Sequence, residues 1–572
     1  MNYVHYPAID VSDLGGALEI APPMDRDVSG PLQRGAPRAI TLGVLLDGRI
    51  QDGWVLESLR QALAVPGVSL AALAVVRGRP RVSLATRLHR VLDTLDRWVR
   101  CREERLFVPT DVAAELAATP LDVDVAWHGD GWFPDEGGVA ALRRCEVDLW
   151  LCYSAHPPRR PLPRVSRLGV WGIETGSCVS AASVWAGAME VAAGCPVTMS
   201  CVVDYTDSGN GPLYRTFGAT AGNSVRRSRV SLLRKGVSLF KRLLVGLTDG
   251  EAARHYARPA TSAAPTHYPV QRQPTISALA RLSWRLVSNV AANRLDSLRG
   301  PGQWQMAYYF ADEGETGCRF ERLRYLVPPK DRAWADPFAV EHQGRSFIFF
   351  EEQPFRTRKG RIMAIEVFED REPAAPQVVL ERPYHLSYPF VFDWDGALHM
   401  VPETAENETI ELYRCEAFPA RWSLRKVLLE GIRAYDATLW RDNDRWWMFV
   451  NVAEPGADSS DELHLYWSAT PLGPWSAHRG NPVISDVRCA RPAGPLFARD
   501  GSVYRPSQDC SLAYGHSVVI NRVDVLSSEA YRETAVHRVM SGWREDILRI
   551  HTFGGRKRLR VIDYLVNRGQ WF

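Results

Sequence analysis

Ala335-Asp336-Pro337-Phe338-Ala339-Val340-Glu341-His342-Gln343-Gly344-Arg345-Ser346-Phe347-Ile348-Phe349-Phe350-Glu351 reads as two apolar strands joined by a tight turn, and the phrase returns three times. The later copies open at Ser387-Tyr388-Pro389-Phe390, Tyr435-Asp436-Ala437-Thr438 and Arg491-Pro492-Ala493-Gly494, about 50 residues apart. Their turns fall at Asp395-Gly396, Asn443-Asp444 and Asp500-Gly501. A strand pair repeating at that period is the blade of a β-propeller.

In an antiparallel hairpin the residue that opens the first strand lies beside the one that closes the second. Fourteen positions beyond Pro337, Pro389 and Ala437 stand Glu351, Glu403 and Asn451. In the fourth copy, aligning Gly501 with Gly344 places Gln508 there, followed by Asp509. The rim therefore collects Asp336, Glu351, Glu352, Tyr388, Glu403, Asp436, Asn451, Arg491, Gln508 and Asp509 around a central funnel. A fifth blade is expected from the two ends of the region. Gln303-Trp304-Gln305-Met306-Ala307-Tyr308-Tyr309 supplies one strand, and Arg549-Ile550-His551-Thr552-Phe553 with Leu559-Arg560-Val561-Ile562-Asp563 supplies the closing hairpin. The propeller spans 300–572.

With 572 residues, 46% hydrophobic and 24% charged, the chain has material for two to four globular domains. A net charge of +3 gives no case for a nucleic-acid partner. Ten scattered cysteines without a C-x-x-C pair suit a reduced, cytoplasmic protein. Residues 1–7 carry no basic segment leading into an apolar run, and no stretch is long and apolar enough to span a bilayer, so neither secretion nor a transmembrane segment is expected. Residues 1–38, rich in Pro, Gly and Asp, read as a flexible N-terminal arm.

Residues 39–222 change pattern to strand, helix, strand. Ile40-Thr41-Leu42-Gly43-Val44-Leu45-Leu46 is followed by Val55, Leu59, Ala62 and Leu63 at helical spacing, then by strands near 70–76, 147–153, 197–203 and 213–217. That alternation predicts an α/β domain with a parallel sheet, whose ligand would sit beyond the carboxyl ends of the strands. The segments there are Asp47-Gly48-Arg49, Ser154-Ala155-His156-Pro157, Gly172-Ile173-Glu174 and Asp204-Tyr205-Thr206-Asp207. None is a G-x-G-x-x-G or a P-loop.

Residues 223–299 read as helix, linker, helix. The first helix, 225–247, mixes Arg226, Arg227, Arg229, Arg234, Lys235, Lys241 and Arg242 with apolar residues. It is either an interfacial helix making peripheral contact with an anionic membrane or a packing helix with a solvated basic face. A Pro/Ala/Thr linker covers 258–274, and a second helix covers 276–295.

The C-terminal half resembles the propeller of the glucosamine inositolphosphorylceramide transferase family. The match is carried by Trp334-Ala335-Asp336-Pro337, His385-Leu386-Ser387-Tyr388-Pro389-Phe390, Pro402-Glu403, Trp446-Trp447, Ala490-Arg491-Pro492-Ala493-Gly494, Arg505-Pro506-Ser507-Gln508-Asp509-Cys510 and His551-Thr552. More distantly it is similar to the five-bladed arabinanase and xylosidase glycosidases, where three rim carboxylates act as base, acid and pKa modulator. That resemblance implies Asp336 as base and Asp436 as modulator, with Glu403 or Glu351 as acid. The N-terminal half resembles folate-dependent formyltransferases in its Gly-Val-Trp strand, its Gly-Cys-Pro-Val-Thr exit and its Asp-x-Gly-Pro-like turn. At the place of that family's Asn-x-His stands Gly172-Ile173-Glu174, so of the catalytic trio the resemblance leaves only the Asp, matched by Asp207 first and Asp204 second, and His156 is a candidate spatial substitute.

The expected fold is thus α/β plus all-β, a formyltransferase-like sheet domain followed by a five-bladed propeller. Catalytic candidates are Asp336, Asp436, Glu403, Glu351 and Asp207. Substrate-binding candidates are Trp334, Tyr388, Arg491, Arg505, Gln508, Asp509 and His551, with Trp440 as a further stacking residue. His551, His385 and His516 could gather near the axis, but no zinc-ligand spacing supports them and no metal is expected. Cys510 reads as an inert thiol. The leading expectation is a transferase of surface-glycan or glycolipid assembly, using a nucleotide-sugar or folate donor on a carbohydrate or glycolipid. A rim glycosidase and a non-catalytic glycan-binding scaffold are the alternatives.

Overall fold

The computed structural model describes residues 39–78, 83–100, 105–128, 131–176, 180–206, 212–248, 275–298, 302–312, 319–442, 444–453 and 459–567. The arm, the 258–274 linker and Asp207 lie outside the described residues. Two compact units divide the chain, one running to Ala292 and the other starting at Asn293.

In the first unit the central strand is Ile40–Leu46, an apolar run buried on both faces, as a parallel sheet covered by helices requires. It pairs in parallel with Val68–Val76 on one side and Leu149–Cys152 on the other. Leu121–Val123 extends the first side, a short strand the sequence reading missed. Val170–Thr175 extends the second in parallel, followed by Val197–Asp204 and Tyr214–Ala219, each antiparallel to its predecessor. Gly43 allows the packing of neighbours, because a Cβ there would lie 2.4 Å from the Trp150 ring. The chain order reverses between Ile40–Leu46 and Leu149–Cys152, so the ligand crevice of such a sheet falls beyond Leu46 and Cys152.

The basic helix Val225–Thr248 packs into the core of this unit, with Leu232, Leu233, Leu239, Phe240 and Leu243 buried beside Trp54 and Leu59. Arg226, Arg229 and Lys235 are buried too. Arg229 meets Asp52 at 3.1 Å, Arg226 lies 3.5 Å from Asp93, and Lys235 donates to the Thr216 hydroxyl at 2.8 Å. With its apolar face taken up by the core and Arg226, Arg229 and Lys235 buried, the helix keeps no apolar stripe to lay in lipid, so of the two readings of 225–247 the packing helix holds, with Arg227 and Lys241 exposed.

The second unit contains five sheets. Blade one is Arg332–His342, Arg345–Pro354, Arg361–Val367 and Gln377–Leu380. Blade two is Ser387–Trp394, Ala397–Glu403, Thr409–Ala417 and Arg421–Glu430. Blade three is Ala434–Asp442, Arg445–Val452, Leu463–Ser468 and Ser476–Ala477. Blade four is Phe497–Arg499, Ser502–Asp509, Ser517–Leu526 and Tyr531–Val539. Blade five closes the ring as expected: Gly302–Phe310 runs antiparallel to Leu559–Asn567 from Gly302↔Asn567 to Phe310↔Leu559. Arg324–Leu326 lies outside this pair, and Ile547–Arg549 with Phe553–Arg556 inside it.

The turns hold the predicted geometry. Both central residues have positive φ at Gln343-Gly344, Asp395-Gly396 and Asp500-Gly501, the type I′ signature that matches strand twist.

Candidate functional site

The repeated opening phrase is a β-bulge. The ladder slips between Ala335 and Phe338, Ser387 and Phe390, and Tyr435 and Thr438. Within these slips Asp336, Tyr388 and Asp436 adopt φ of 51°, 45° and 57°. Left-handed backbone at a non-glycine residue costs on the order of 1–3 kcal/mol and persists where the surroundings hold it. Blade four uses Gly494 at φ 135°, where a Cβ would lie 2.3 Å from the Phe553 carbonyl oxygen.

Two buried charge clusters result. In the first, Arg491 donates from Nε to Asp436 Oδ2 at 2.6 Å and from Nη2 to Asp436 Oδ1 at 3.2 Å, and reaches Glu403 at 3.5 Å. Gln508 Nε2 donates to Asp436 Oδ2 at 3.1 Å. Burial, then the Asp436 charge, push Glu403 well above the usual carboxylate range against the pull of Arg491.

In the second cluster His551 lies between two carboxylates, Nδ1 2.7 Å from Asp563 and Nε2 3.4 Å from Asp336. Asp563 accepts the backbone N–H groups of His551 at 3.1 Å and Thr552 at 2.8 Å, and its other oxygen accepts the Asp336 N–H at 3.0 Å. The Thr552 hydroxyl donates to Asp336 at 2.7 Å. Burial raises Asp336 to about 6 even though His551 opposes it. Glu351 is pushed well above its usual range by burial and by Asp336, and lies 3.3 Å from His385 Nε2. His385 itself is lowered by burial, and its Nδ1 accepts the Gly360 N–H at 2.9 Å.

Asp336, His551 and Asp563 bring donor atoms within 4.8 Å of one another, close enough to share a metal ion; His385 and His516 are not in that cluster. The imidazole is instead held as a cation. Burial disfavours its charge, but Asp563 and Asp336 outweigh that and lift it to about 9. A protonated ring has no lone pair for a metal, so binding one would require expelling that proton.

Asn451 holds the register place of Glu351 and Glu403 in blade three and is fully buried. Neither its amide nitrogen nor its amide oxygen has a hydrogen-bond partner among the described residues. Across the clusters lies Tyr514, 40% exposed, with Arg491 4.9 Å from its ring centre and His551 edge-on at 5.3 Å. Trp304 lies over His551 at 4.0 Å. The adjoining Gly515 permits this approach, since a Cβ would lie 2.6 Å from His551 Cβ.

The structure thus brings together Asp336, Glu351, Glu403, Asp436, Arg491, Gln508 and His551. Five expected binding residues lie elsewhere or are closed off. Arg505 and Asp509 alternate with Gln508 along one strand and so face the other side. There Arg505 pairs with Glu533 through Nε at 2.8 Å and Nη2 at 2.6 Å, while Asp509 pairs with Arg538. Trp334 is buried against Phe350, its indole N–H donating to Glu352 at 3.0 Å. Glu352 in turn pairs with Arg361 at 2.7 Å. Tyr388 is fully buried, and its hydroxyl joins Thr438 to the Gly494 N–H, each at 2.8 Å, so it braces blades rather than offering a ring face. Trp440 packs among the blade cores. The Cys510 thiol, raised to about 11 by burial, is unreactive as expected.

Sequence reading missed Asp563 and Tyr514 as site residues. Asp563 had a signal, because it ends Val561-Ile562 as Glu351 ends Phe349-Phe350. Tyr514 comes from a loop and had none.

In the α/β unit, the crevice beyond Leu46 and Cys152 holds Asp47, whose carboxylate accepts the Ala155 N–H at 2.6 Å and the Ser154 hydroxyl. Burial raises its pKa, and the nearby His156 opposes the rise. Glu174 pairs with Arg160 at 3.1 Å. Asp204 caps the opposite end of its strand neighbour by accepting the Val170 N–H at 3.2 Å.

Residues 330–570 match the family model described as glucosamine inositolphosphorylceramide transferase 1, N-terminal. The chain is 36% identical over 207 residues to glucosamine inositolphosphorylceramide transferase 1 of Oryza sativa subsp. japonica, covering 36% of this chain and 28% of the rice protein. It is 34% identical over 205 residues to the Arabidopsis thaliana protein of that name, covering 35% and 27%. The match therefore spans little more than a quarter of these curated relatives. Among solved structures, Zg3597, a family 117 glycoside hydrolase from Zobellia galactanivorans, aligns with a TM-score of 0.32 and 10% identity over 47% of this chain and 91% of that one. RS223-Beta-xylosidase aligns with a TM-score of 0.29 and 12% identity over 36% and 77%. In its C-terminal half the chain resembles the propeller of the glucosamine inositolphosphorylceramide transferase family.

Proposed function

We propose that the protein is a transferase of glycolipid assembly, in which the propeller axis holds the sugar of the substrate and the α/β unit transfers a glycosyl or formyl/acyl group. The observation that carries this reading is Asn451, a buried amide with an unmet donor and an unmet acceptor. Leaving such a group without partners costs about 2–7 kcal/mol, and a sugar hydroxyl, both donor and acceptor, meets both needs. Tyr514 offers the aromatic face that sugar rings stack on. The charge balance narrows the class. Besides Glu351 and Glu403, which burial pushes well above the usual carboxylate range, three carboxyl groups, Asp336, Asp436 and Asp563, face the two basic side chains Arg491 and His551, so the site has no surplus of cations and suits a neutral or amino sugar better than a phosphate. The matched rice and Arabidopsis relatives are named for glucosamine.

Intact protein would be incubated with nucleotide sugars or a formyl-folate donor and glucosamine-bearing or inositol-phosphate lipids, then read by mass spectrometry. The expected result is a hexosyl or formyl mass gain that Asn451→Leu reduces. Absence of turnover with every donor, together with no sugar affinity by calorimetry, would sink the proposal. Sugar affinity without turnover would leave the scaffold reading in its place.

A second reading, glycoside hydrolysis, is favoured by Glu403 and Glu351, which burial pushes well above the usual carboxylate range, beside Asp336, which burial raises only to about 6. A protonated acid and an ionised base are what that chemistry needs. Glycosidase activity that survives Asp336→Asn would exclude it.

A further inference from the structure

Two helices of the α/β unit flank one apolar cluster. Leu84–Arg100 contributes Ala85 and Leu92, while Ile276–Leu298 contributes Ala278, Leu279 and Leu282, around Trp185 and Met189. Both carry a second apolar stripe on the outward side. Leu84, Leu88 and Val91 are 59%, 44% and 58% exposed, and Ile276, Trp284 and Val287 are 60%, 72% and 65% exposed. These residues recur at the spacing of one helix face, so the exposure is patterned rather than scattered.

The charges are sorted by sign. Arg87 and Arg90 are exposed beside the first stripe. The carboxylates whose side chains are described on these helices turn inward: Asp93 lies 3.5 Å from Arg226, and Asp96 accepts the Ser224 hydroxyl at 2.9 Å and the Arg226 N–H at 2.9 Å. A surface with apolar stripes, exposed arginines and its acids withdrawn is complementary to an anionic, apolar-cored partner. A bilayer with acidic headgroups has both properties. No helix among the described residues is long and apolar enough to cross a membrane, so the contact is one of lying upon it.

We propose that the outer faces of helices Leu84–Arg100 and Ile276–Leu298 dock the α/β unit on an anionic lipid surface. This rests on that surface alone and not on the propeller axis. The test is flotation of the full chain with vesicles of phosphatidylcholine, alone or mixed with phosphatidylserine. Binding is expected to the mixed vesicles and to weaken with salt. Because each basic residue near such a surface is worth about 1 kcal/mol, Arg87→Gln with Arg90→Gln should weaken binding roughly thirty-fold. Trp284→Ser with Val287→Ser should weaken it at least as much, with helix content by circular dichroism preserved. Lys241→Gln, an exposed change on the packing helix, should leave it unaltered. The proposal is overturned if the chain ignores mixed vesicles at low salt, or if only one helix's variants matter. It is also overturned if light scattering finds a dimer in solution that Trp284→Ser dissolves, which would assign the face to a second copy.

Discussion

Arg491 of blade four holds Asp436 of blade three with two nitrogens, Nε at 2.6 Å and Nη2 at 3.2 Å. The same guanidinium reaches Glu403 of blade two, so one side chain ties three blades together at the axis.

That fork depends on geometry as well as charge. Arg491→Lys keeps the cation but cannot span both oxygens. It should lower the unfolding midpoint and weaken sugar affinity at least tenfold. Arg491→Ala, which leaves buried carboxylates unpaired, should cost about 3–5 kcal/mol. Thermal shift and calorimetry on the intact chain would check both.

Asn451→Leu separates stability from binding. Replacing an unsatisfied buried amide by an apolar side chain should leave stability unchanged or raised. Sugar affinity should fall by about 1–3 kcal/mol, because the ligand then loses its buried partner. Parallel losses of stability and affinity would contradict the assignment.

His551 predicts a pH signature. Its folded value of about 9 exceeds the ordinary 6.5, so the native state holds a proton the unfolded chain releases earlier. The resulting stabilisation is complete below pH 6.5 and disappears as pH climbs through about 9. The difference in melting temperature between the parent protein and His551→Gln should therefore shrink across that window. Asp336, raised from 3.8 to about 6, acts in the same direction at lower pH, its contribution vanishing as pH rises through about 6.

Arg505 and Glu533 provide a contrast. Arg505→Met should destabilise by about 3–5 kcal/mol through the stranded carboxylate, and Glu533→Leu added to it should recover most of the loss. If the ion pair serves only to hold blade four together, the recovered double variant will bind sugar as the parent does.

Five blades were legible because their signals are local. Gln343-Gly344 and Asp395-Gly396 permit the turns, and the counts from Pro337 to Glu351 and from Pro389 to Glu403 survive intact because blades one, two and three carry the same bulge at the same place. The central strand Ile40–Leu46 was legible for a similar reason, as an unbroken apolar run. What failed was sidedness. Arg505 and Asp509 belong to the right strand but the wrong face, and Trp334 is turned from the axis by the bulge that aims Asp336 at it. The helix Val225–Thr248 misled differently: its arginines look like a solvated face until Asp52 and Asp93, over a hundred positions upstream, are brought beside them by the fold. Partners that distant leave no trace in local periodicity.

The pairing of Gly302–Phe310 with Leu559–Asn567 also has a temporal meaning. During synthesis the first of these strands waits, with its partner missing, until the other four blades have been made. His551 and Asp563 arrive with that hairpin, so Asp336 gains its counter-charge only after the four blades between have been made. An unfinished chain would hold several acids of the axis without the imidazolium between them, which ties the completion of the site to completion of the ring.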